Sequence, residues 1–367
     1  MTTTLQHHAD GFEVVESADD TRNTAIPPLL ILDRVTEFLD EHGLGQGPLS
    51  WQRIGDGQSN ITYLLVRGQD RFVLRRGPRP PLPKSTHDMV REARIQQLVA
   101  AENVPVPEIL AVCEDETLLG VPFYVMNYLE GDVITDTEPA TLASSEAKAQ
   151  LGRVLVDTLL SLHSVDITKP GLAELGRPVG YLERQVRRFG SLWDVNSKRN
   201  LPEVHEIAER LNRTIPESQK HALVHGDFRL GNLMFAPDLP LRVDAILDWE
   251  MATLGDPLAD LGYMVATYAS TEAAPTIMER TPITRQPDYW DRQQLVDYYA
   301  QRSGLDVSDL PWYAALALWK SAIFCEAIYT RWLDGERPDD DDFGGSLKDG
   351  IPVLLNQASE YLHELRA

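Results

Sequence analysis

The spacing of apolar residues changes character near residue 127 of this 367-residue chain. Before that point, short apolar or mixed runs recur at 51–54, 61–66, 72–74, 109–113 and 123–126. Turn-forming stretches separate them, notably Gly55-Asp56-Gly57-Gln58-Ser59-Asn60 and Gly68-Gln69-Asp70. Runs this short, bounded by Gly, Asn and Asp, predict β-strands. Helical spacing occurs there at 28–42, where Leu29, Leu32, Val35, Phe38 and Leu39 line up ahead of Gly43, and at about 87–102. Beyond residue 131 helical periodicity dominates, over 146–163, 181–189, 201–214, 258–269, 291–304 and 312–332, with a hairpin expected within 222–250. The expectation is an α+β chain: a small antiparallel sheet with one helix, then a larger, mainly helical lobe. Residues 1–27 make a polar extension, poorly ordered over 1–26; 28–127 and 128–367 make the two lobes, with a hinge at 127–131.

Inside the helical part, the segment His225-Gly226-Asp227-Phe228-Arg229-Leu230-Gly231-Asn232 carries candidate chemistry. Sixteen residues after Asn232, the apolar run Ala245-Ile246-Leu247 ends in Asp248. Phosphoryl transfer needs a carboxylate to orient a nucleophilic hydroxyl, and an Asn plus an Asp to hold magnesium on nucleotide phosphates. The spacing assigns Asp227 as the base and Asn232 and Asp248 as magnesium ligands. Arg229 is placed to face the transferred phosphate or an anionic substrate, and His225 to orient the loop by hydrogen bonding. In the 55–60 turn, Gly55 and Gly57 let the backbone approach closely, and amides around Gln58, Ser59 and Asn60 can donate to phosphate oxygens. Arg75, on the next strand, supplies a cation for the nucleotide's inner phosphates, with Glu92 on the following helix as its partner. A slip of one residue in register would hand that task to Arg76. Asn127 and Tyr128, at the hinge, complete the nucleotide side. Asp256 reads as a helix N-cap with Pro257 behind it, and His163 as a helix-end core residue.

Composition narrows the partners. The chain carries 34 Lys and Arg against 56 Asp and Glu, a net charge of -22, which argues against a nucleic-acid surface. Two distant cysteines, Cys113 and Cys325, form neither a metal spacing nor a disulfide framework, and no apolar signal core opens the chain. The apolar stretch 312–332 is broken by Lys320, Glu326 and Arg331, so it reads as a core helix rather than a membrane span. A cytoplasmic protein, monomer or homodimer, is expected. The run Asp339-Asp340-Asp341-Asp342 reads as a solvated loop.

The Asp227–Asn232 spacing is that of the protein-kinase catalytic loop. With Gly226 in place of its Arg, and with Asp248-Trp249-Glu250 leading to Leu254-Gly255-Asp256-Pro257-Leu258-Ala259-Asp260, the chain resembles the aminoglycoside phosphotransferase family of small-molecule kinases. Together with Phe72-Val73-Leu74-Arg75-Arg76-Gly77-Pro78, these segments look like the branch related to kinase-like domains fused to acyl-CoA dehydrogenases. The resemblance implies a bilobal protein-kinase-like fold, ATP with Mg2+, and a small hydroxyl-bearing acceptor; the branch points to a hydroxy acid or hydroxyacyl thioester. Asp256 and Asp260 match the family's acidic cluster. Only seven residues separate Asp248 from Asp256, which leaves no room for the activation segment of a protein kinase. An aminoglycoside or amino-alcohol (choline-like) acceptor is the alternative that the acidic charge favours. A non-catalytic nucleotide-binding scaffold is the alternative that Arg75 in place of Lys favours.

Overall fold

A computed structural model of the chain describes residues 7–8, 11–24, 26–55, 60–80, 87–271, 274–335 and 341–365. Two compact units divide it, Met1–Glu130 and Gly131–Ala367.

In the first unit, helix α1 (Leu32–Glu41) is followed by strands β1 (Leu49–Ile54), β2 (Ile61–Arg67) and β3 (Asp70–Arg76), then helix α2 (Met89–Ala100) and strands β4 (Ile109–Cys113) and β5 (Phe123–Asn127). The strands form one antiparallel sheet in the order β1-β2-β3-β5-β4. Side chains alternate across it. Phe72 and Leu74 of β3 join Phe123 and Val125 of β5 under Val35, Phe38 and Leu39 of α1. Val73 joins Tyr124 and Met126 on the opposite face, against Met89 and Ala93 of α2. This alternation decides between the two arginines. Arg75 shares the α2 face with Val73. Arg76 shares the α1 face, where it is fully buried and donates to the carbonyls of Leu29, Leu119 and Gly77.

The N-terminal expectation needs correcting. Val14 and Val15 are buried and pair in parallel with Leu30–Ile31, and Glu13 accepts hydrogen bonds from the Tyr63 hydroxyl (2.6 Å) and Arg53 (3.1 Å). Two valines are too few to show a period, but β-branched side chains fit a strand. The same pairing takes Leu30 and Ile31 out of the expected 28–42 helix.

In the second unit, a short strand β6 (Asp132–Val133) precedes helices α3 (Ser145–His163), α4 (Tyr181–Asn196) and α5 (Glu203–Arg213). Strands β7 (Ala222–Val224), β8 (Leu233–Phe235), β9 (Val243–Ile246) and β10 (Thr253–Gly255) follow, then helices α6 (Pro257–Thr267), α7 (Arg292–Ser303), α8 (Leu310–Leu333) and α9 (Asp341–Glu364). The hairpin is narrower than expected. β8 pairs with β9 and β6, while β7 pairs outside it with β10. α8 is the core of this unit: Trp312 and Trp319 are fully buried and donate to the carbonyls of Leu211 and Val204 at 3.1 and 2.9 Å. Its Glu326 is buried against Arg199 and Ser197. Gly262 lets α6 press on α8, for a Cβ there would meet Tyr313 Cβ at 2.6 Å. α9 was not foreseen. Asp341 and Asp342 open it rather than lying in a loop, and Asp339 and Asp340 fall outside the described residues. Among the described residues, no helix is long and apolar enough to cross a membrane.

Candidate active site

Backbone geometry builds the catalytic segment before any side chain acts. The chain leaves β7 and turns at Gly226, with φ +87°. A Cβ there would meet Met251 Cβ at 2.8 Å and the Met251 carbonyl oxygen at 3.0 Å, so both dihedral and space call for glycine. The amides of His225 and Gly226 donate to the two oxygens of Asp260 at 2.7 and 2.8 Å. Asp260 is fully buried in the first turn of α6, which Asp256 caps by accepting from the Leu258 amide at 2.9 Å. His163 Nε2 lies 3.3 Å from Asp260, and His163 Nδ1 lies 2.8 Å from the Tyr299 hydroxyl. A neutral imidazole donating through Nε2 and accepting through Nδ1 satisfies both partners. The expected core role of His163 therefore has a specific content: it braces the carboxylate that clamps the loop.

His225 is held the same way. Its Nε2 is 3.0 Å from the Leu247 carbonyl, and its Nδ1 accepts from the Asp227 amide at 3.3 Å. The ring thus ties the loop to the segment that presents Asp248. A second tie runs from the Leu247 amide to the Asn232 carbonyl at 2.8 Å. Asp248 itself sits at φ +68°, a left-handed conformation that costs a non-glycine residue on the order of 1 kcal/mol.

Asn232 Nδ2 donates to the Asp227 carbonyl at 2.8 Å and to Asp227 Oδ2 at 2.7 Å. Both amide hydrogens are spent there, so the side-chain oxygen Asn232 Oδ1 remains as a donor atom for a hard cation. Among the described residues no group of three or more His, Cys, Asp or Glu side chains is arranged to hold a metal. Two oxygen ligands, Asn232 and Asp248, fit magnesium, which keeps several waters and substrate phosphates in its shell. Asp227 Oδ1 is buried and accepts no hydrogen bond among the described residues. Arg229 Nε lies 3.4 Å from it. Burial opposes the Arg229 charge, yet Asp227, Tyr263 and Asp248 together raise its pKa above the ordinary guanidinium value. Burial, then the Asp227 charge, pushes the Tyr263 phenol well up.

On the nucleotide side, Arg75 Nε lies 3.1 Å from Glu92 Oε1, with Glu92 buried. Tyr124 stands opposite Arg75 in the strand register; its hydroxyl donates to Glu92 Oε1 at 3.2 Å and accepts from Gln96 at 3.1 Å. Gly55 has φ +76°, and the buried Asn60 lies with its Oδ1 2.8 Å from His87 Nδ1. Gly57, Gln58 and Ser59 lie outside the described residues. Asn127 uses its side-chain oxygen on the Glu108 amide (2.8 Å), and Tyr128 packs beside the Val73–Tyr124 cluster with Arg71 over its ring at 4.4 Å.

Sequence reasoning missed Tyr124, Gln96 and Tyr263, and saw Asp260 without its task. Only the β7–β10 pairing shows that Asp260 lies beneath the loop.

The profile of the phosphotransferase enzyme family matches residues 50–298. The chain belongs to that family. This family member is 32% identical over 314 residues to acyl-CoA dehydrogenase family member 11 of Rattus norvegicus, covering 83% of this chain and 40% of the rat protein. It is 31% identical over 317 residues to acyl-CoA dehydrogenase family member 10 of Mus musculus, covering 86% and 29%. The chain thus spans 40% or less of these two relatives. Among solved structures, a protein of Ralstonia eutropha assigned to the aminoglycoside phosphotransferases matches with TM-score 0.73 and 28% identity, over 91% of this chain and 99% of that one. A thermostable mutant of APH(4)-Ia, in ternary complex with AMP-PNP and hygromycin B, matches with TM-score 0.56 and 16% identity, over 90% and 98%. These neighbours bear out the bilobal protein-kinase-like fold.

Proposed function

We propose that the chain is an ATP-dependent phosphotransferase that moves the γ-phosphate to a hydroxyl of a small molecule, with a hydroxy acid or hydroxyacyl thioester as acceptor. The observation that carries this reading is the Asp227 carboxylate. One oxygen is fixed by Asn232 and the other faces Arg229 Nε at 3.4 Å, in a loop clamped by Asp260. The acceptor hydroxyl donates to Oδ1, and Asp227 takes its proton as the transfer proceeds; alignment matters more than basicity. Arg229 balances the charge of the transferred group. Asn232 and Asp248 hold magnesium, which when bound neutralises phosphate charge. Arg75, oriented by Glu92, grips the inner phosphates of the nucleotide as a planar, permanently charged donor. That pairing speaks against a non-catalytic scaffold.

The kinship with acyl-CoA dehydrogenase family members and the position of Arg229 favour an anionic acceptor over an amine. Kanamycin and hygromycin B accompany structural neighbours of low identity, and the net charge of -22 favours such cations. The test is a screen of hydroxy acids, hydroxyacyl thioesters, amino alcohols and aminoglycosides for stimulated ADP release. The expected result is release with acids or thioesters, reduced by about a thousandfold or more in Asp227→Ala. Turnover of aminoglycosides alone sinks the acceptor assignment, and undiminished turnover by Asp227→Ala sinks the base.

A further inference from the structure

The Arg75–Glu92 pair is the visible part of a larger network. Glu92 and Gln96 lie four residues apart on α2, so their side chains leave the same face of the helix. Arg75 and Tyr124 are direct partners in the β3–β5 register, so they stand side by side on the sheet face that α2 covers. Arg75 Nε is 3.1 Å from Glu92 Oε1, and the Tyr124 hydroxyl donates to the same oxygen at 3.2 Å. Gln96 Nε2 in turn donates to the Tyr124 hydroxyl oxygen at 3.1 Å. The amide fills the acceptor side of the hydroxyl, so its single hydrogen is directed at Glu92. Glu92, Gln96 and Tyr124 are each at most 2% exposed, which keeps water from competing for these bonds. Glutamate and arginine are long side chains, and one ion pair lets the two swing together. A tyrosine on a strand has two torsions only, so its hydroxyl supplies a fixed third point.

We propose that Tyr124, with its hydroxyl turned by Gln96, is a positioning residue for the nucleotide. It fixes the Glu92 carboxylate, and through that carboxylate the angle at which Arg75 meets the inner phosphates. This rests on Arg75 as the cation of the nucleotide side. Tyr124 acts through Arg75 and on no reacting atom.

The test is calorimetric titration of the full chain with ADP in the presence of magnesium. The parent is compared with Arg75→Met, with Tyr124→Phe, with these two combined, and with Tyr124→Phe combined with Gln96→Leu. Removing the hydroxyl alone strands two buried polar groups, whereas the last variant replaces the hydroxyl and its amide donor together and so guards against a folding defect. The expected result is about tenfold weaker ADP binding in Tyr124→Phe, the size of one hydrogen bond to a charged group, with or without Gln96→Leu. In the Arg75→Met background the same substitution should add less than about twofold, because the cation through which it acts is gone. Unchanged ADP affinity in Tyr124→Phe overturns the positioning role. So does a loss of equal size with and without Arg75, which marks a general packing defect, or a loss that Gln96→Leu restores. Failure of the underlying reading looks different: Arg75→Met then binds ADP as the parent does, or the parent binds none, and both claims fall together. Weak binding by Arg75→Met beside normal binding by Tyr124→Phe removes the positioning role alone.

Discussion

In the proposed mechanism Asp260 acts at one remove from the chemistry: it accepts from the amides of His225 and Gly226, which lead into Asp227. An Asp260→Asn variant keeps the shape but offers one acceptor oxygen to two donors, and turns an NH2 towards the other amide. Its kcat for ADP release should fall by about a hundredfold while the KM for ATP stays within about twofold, since binding is elsewhere. A matching fall in nucleotide affinity would show that the clamp does more than align the loop. Lys320 gives a second residue-scale prediction. Burial lowers its folded pKa to about 8, below the 10.5 of an unperturbed lysine, so between those values the unfolded chain binds a proton that the folded chain has released. Stability therefore rises with pH across that window, and below pH 8 the half-buried side chain carries its charge. Lys320→Met should be more stable than the parent at pH 7 by roughly 1–2 kcal/mol after discounting for partial exposure. In denaturant titrations the gap should close between pH 8 and 10.5. A gap that widens there would place the lysine in a different environment.

The elements differ in how openly the chain declares them. Residues 72–74 read as a strand from their short apolar run, but which face α2 covers, and hence the choice of Arg75 over Arg76, needs the folded sheet. Three-residue strands such as Ala222–Val224 and Thr253–Gly255 are too short to show any period, so the pairing that brings Asp260 to the loop was illegible. α9 is the opposite case. Leu347, Ile351, Leu354, Leu355, Ala358 and Leu362 follow helical spacing and are buried, but Pro352 and the preceding Asp run mask the pattern. The roles proposed for Asp227, Asn232 and Asp248 come from a spacing that encodes a chemical requirement; the braces around them are scattered, and only packing collects them. The α6–α8 contact is testable at this scale. Gly262→Ala would drive a methyl into Tyr313 and the Ala314 backbone nitrogen, and should cost about 1–3 kcal/mol in chemical denaturation. A neutral outcome would mean that the two helices can part freely.

For the whole molecule, a net charge of -22 means self-repulsion in the folded state. Raising ionic strength from about 20 to 300 mM shortens the Debye length from roughly 20 to 6 Å, so the thermal midpoint should rise with sodium chloride. A fall would indicate that local ion pairs such as Arg199–Glu326 outweigh the overall repulsion. The Arg75–Glu92 pair lies in one unit and the clamped loop in the other.

The bond from Asn232 to Asp227 bears on how the protein ages. Hydrolysis of that one side-chain amide during storage would replace a donor with a second carboxylate facing Asp227 across 2.7 Å. Like charges would then force the loop apart. Old preparations would lose turnover while keeping their fold, and mass spectrometry of the peptide spanning Asn232 would date the loss.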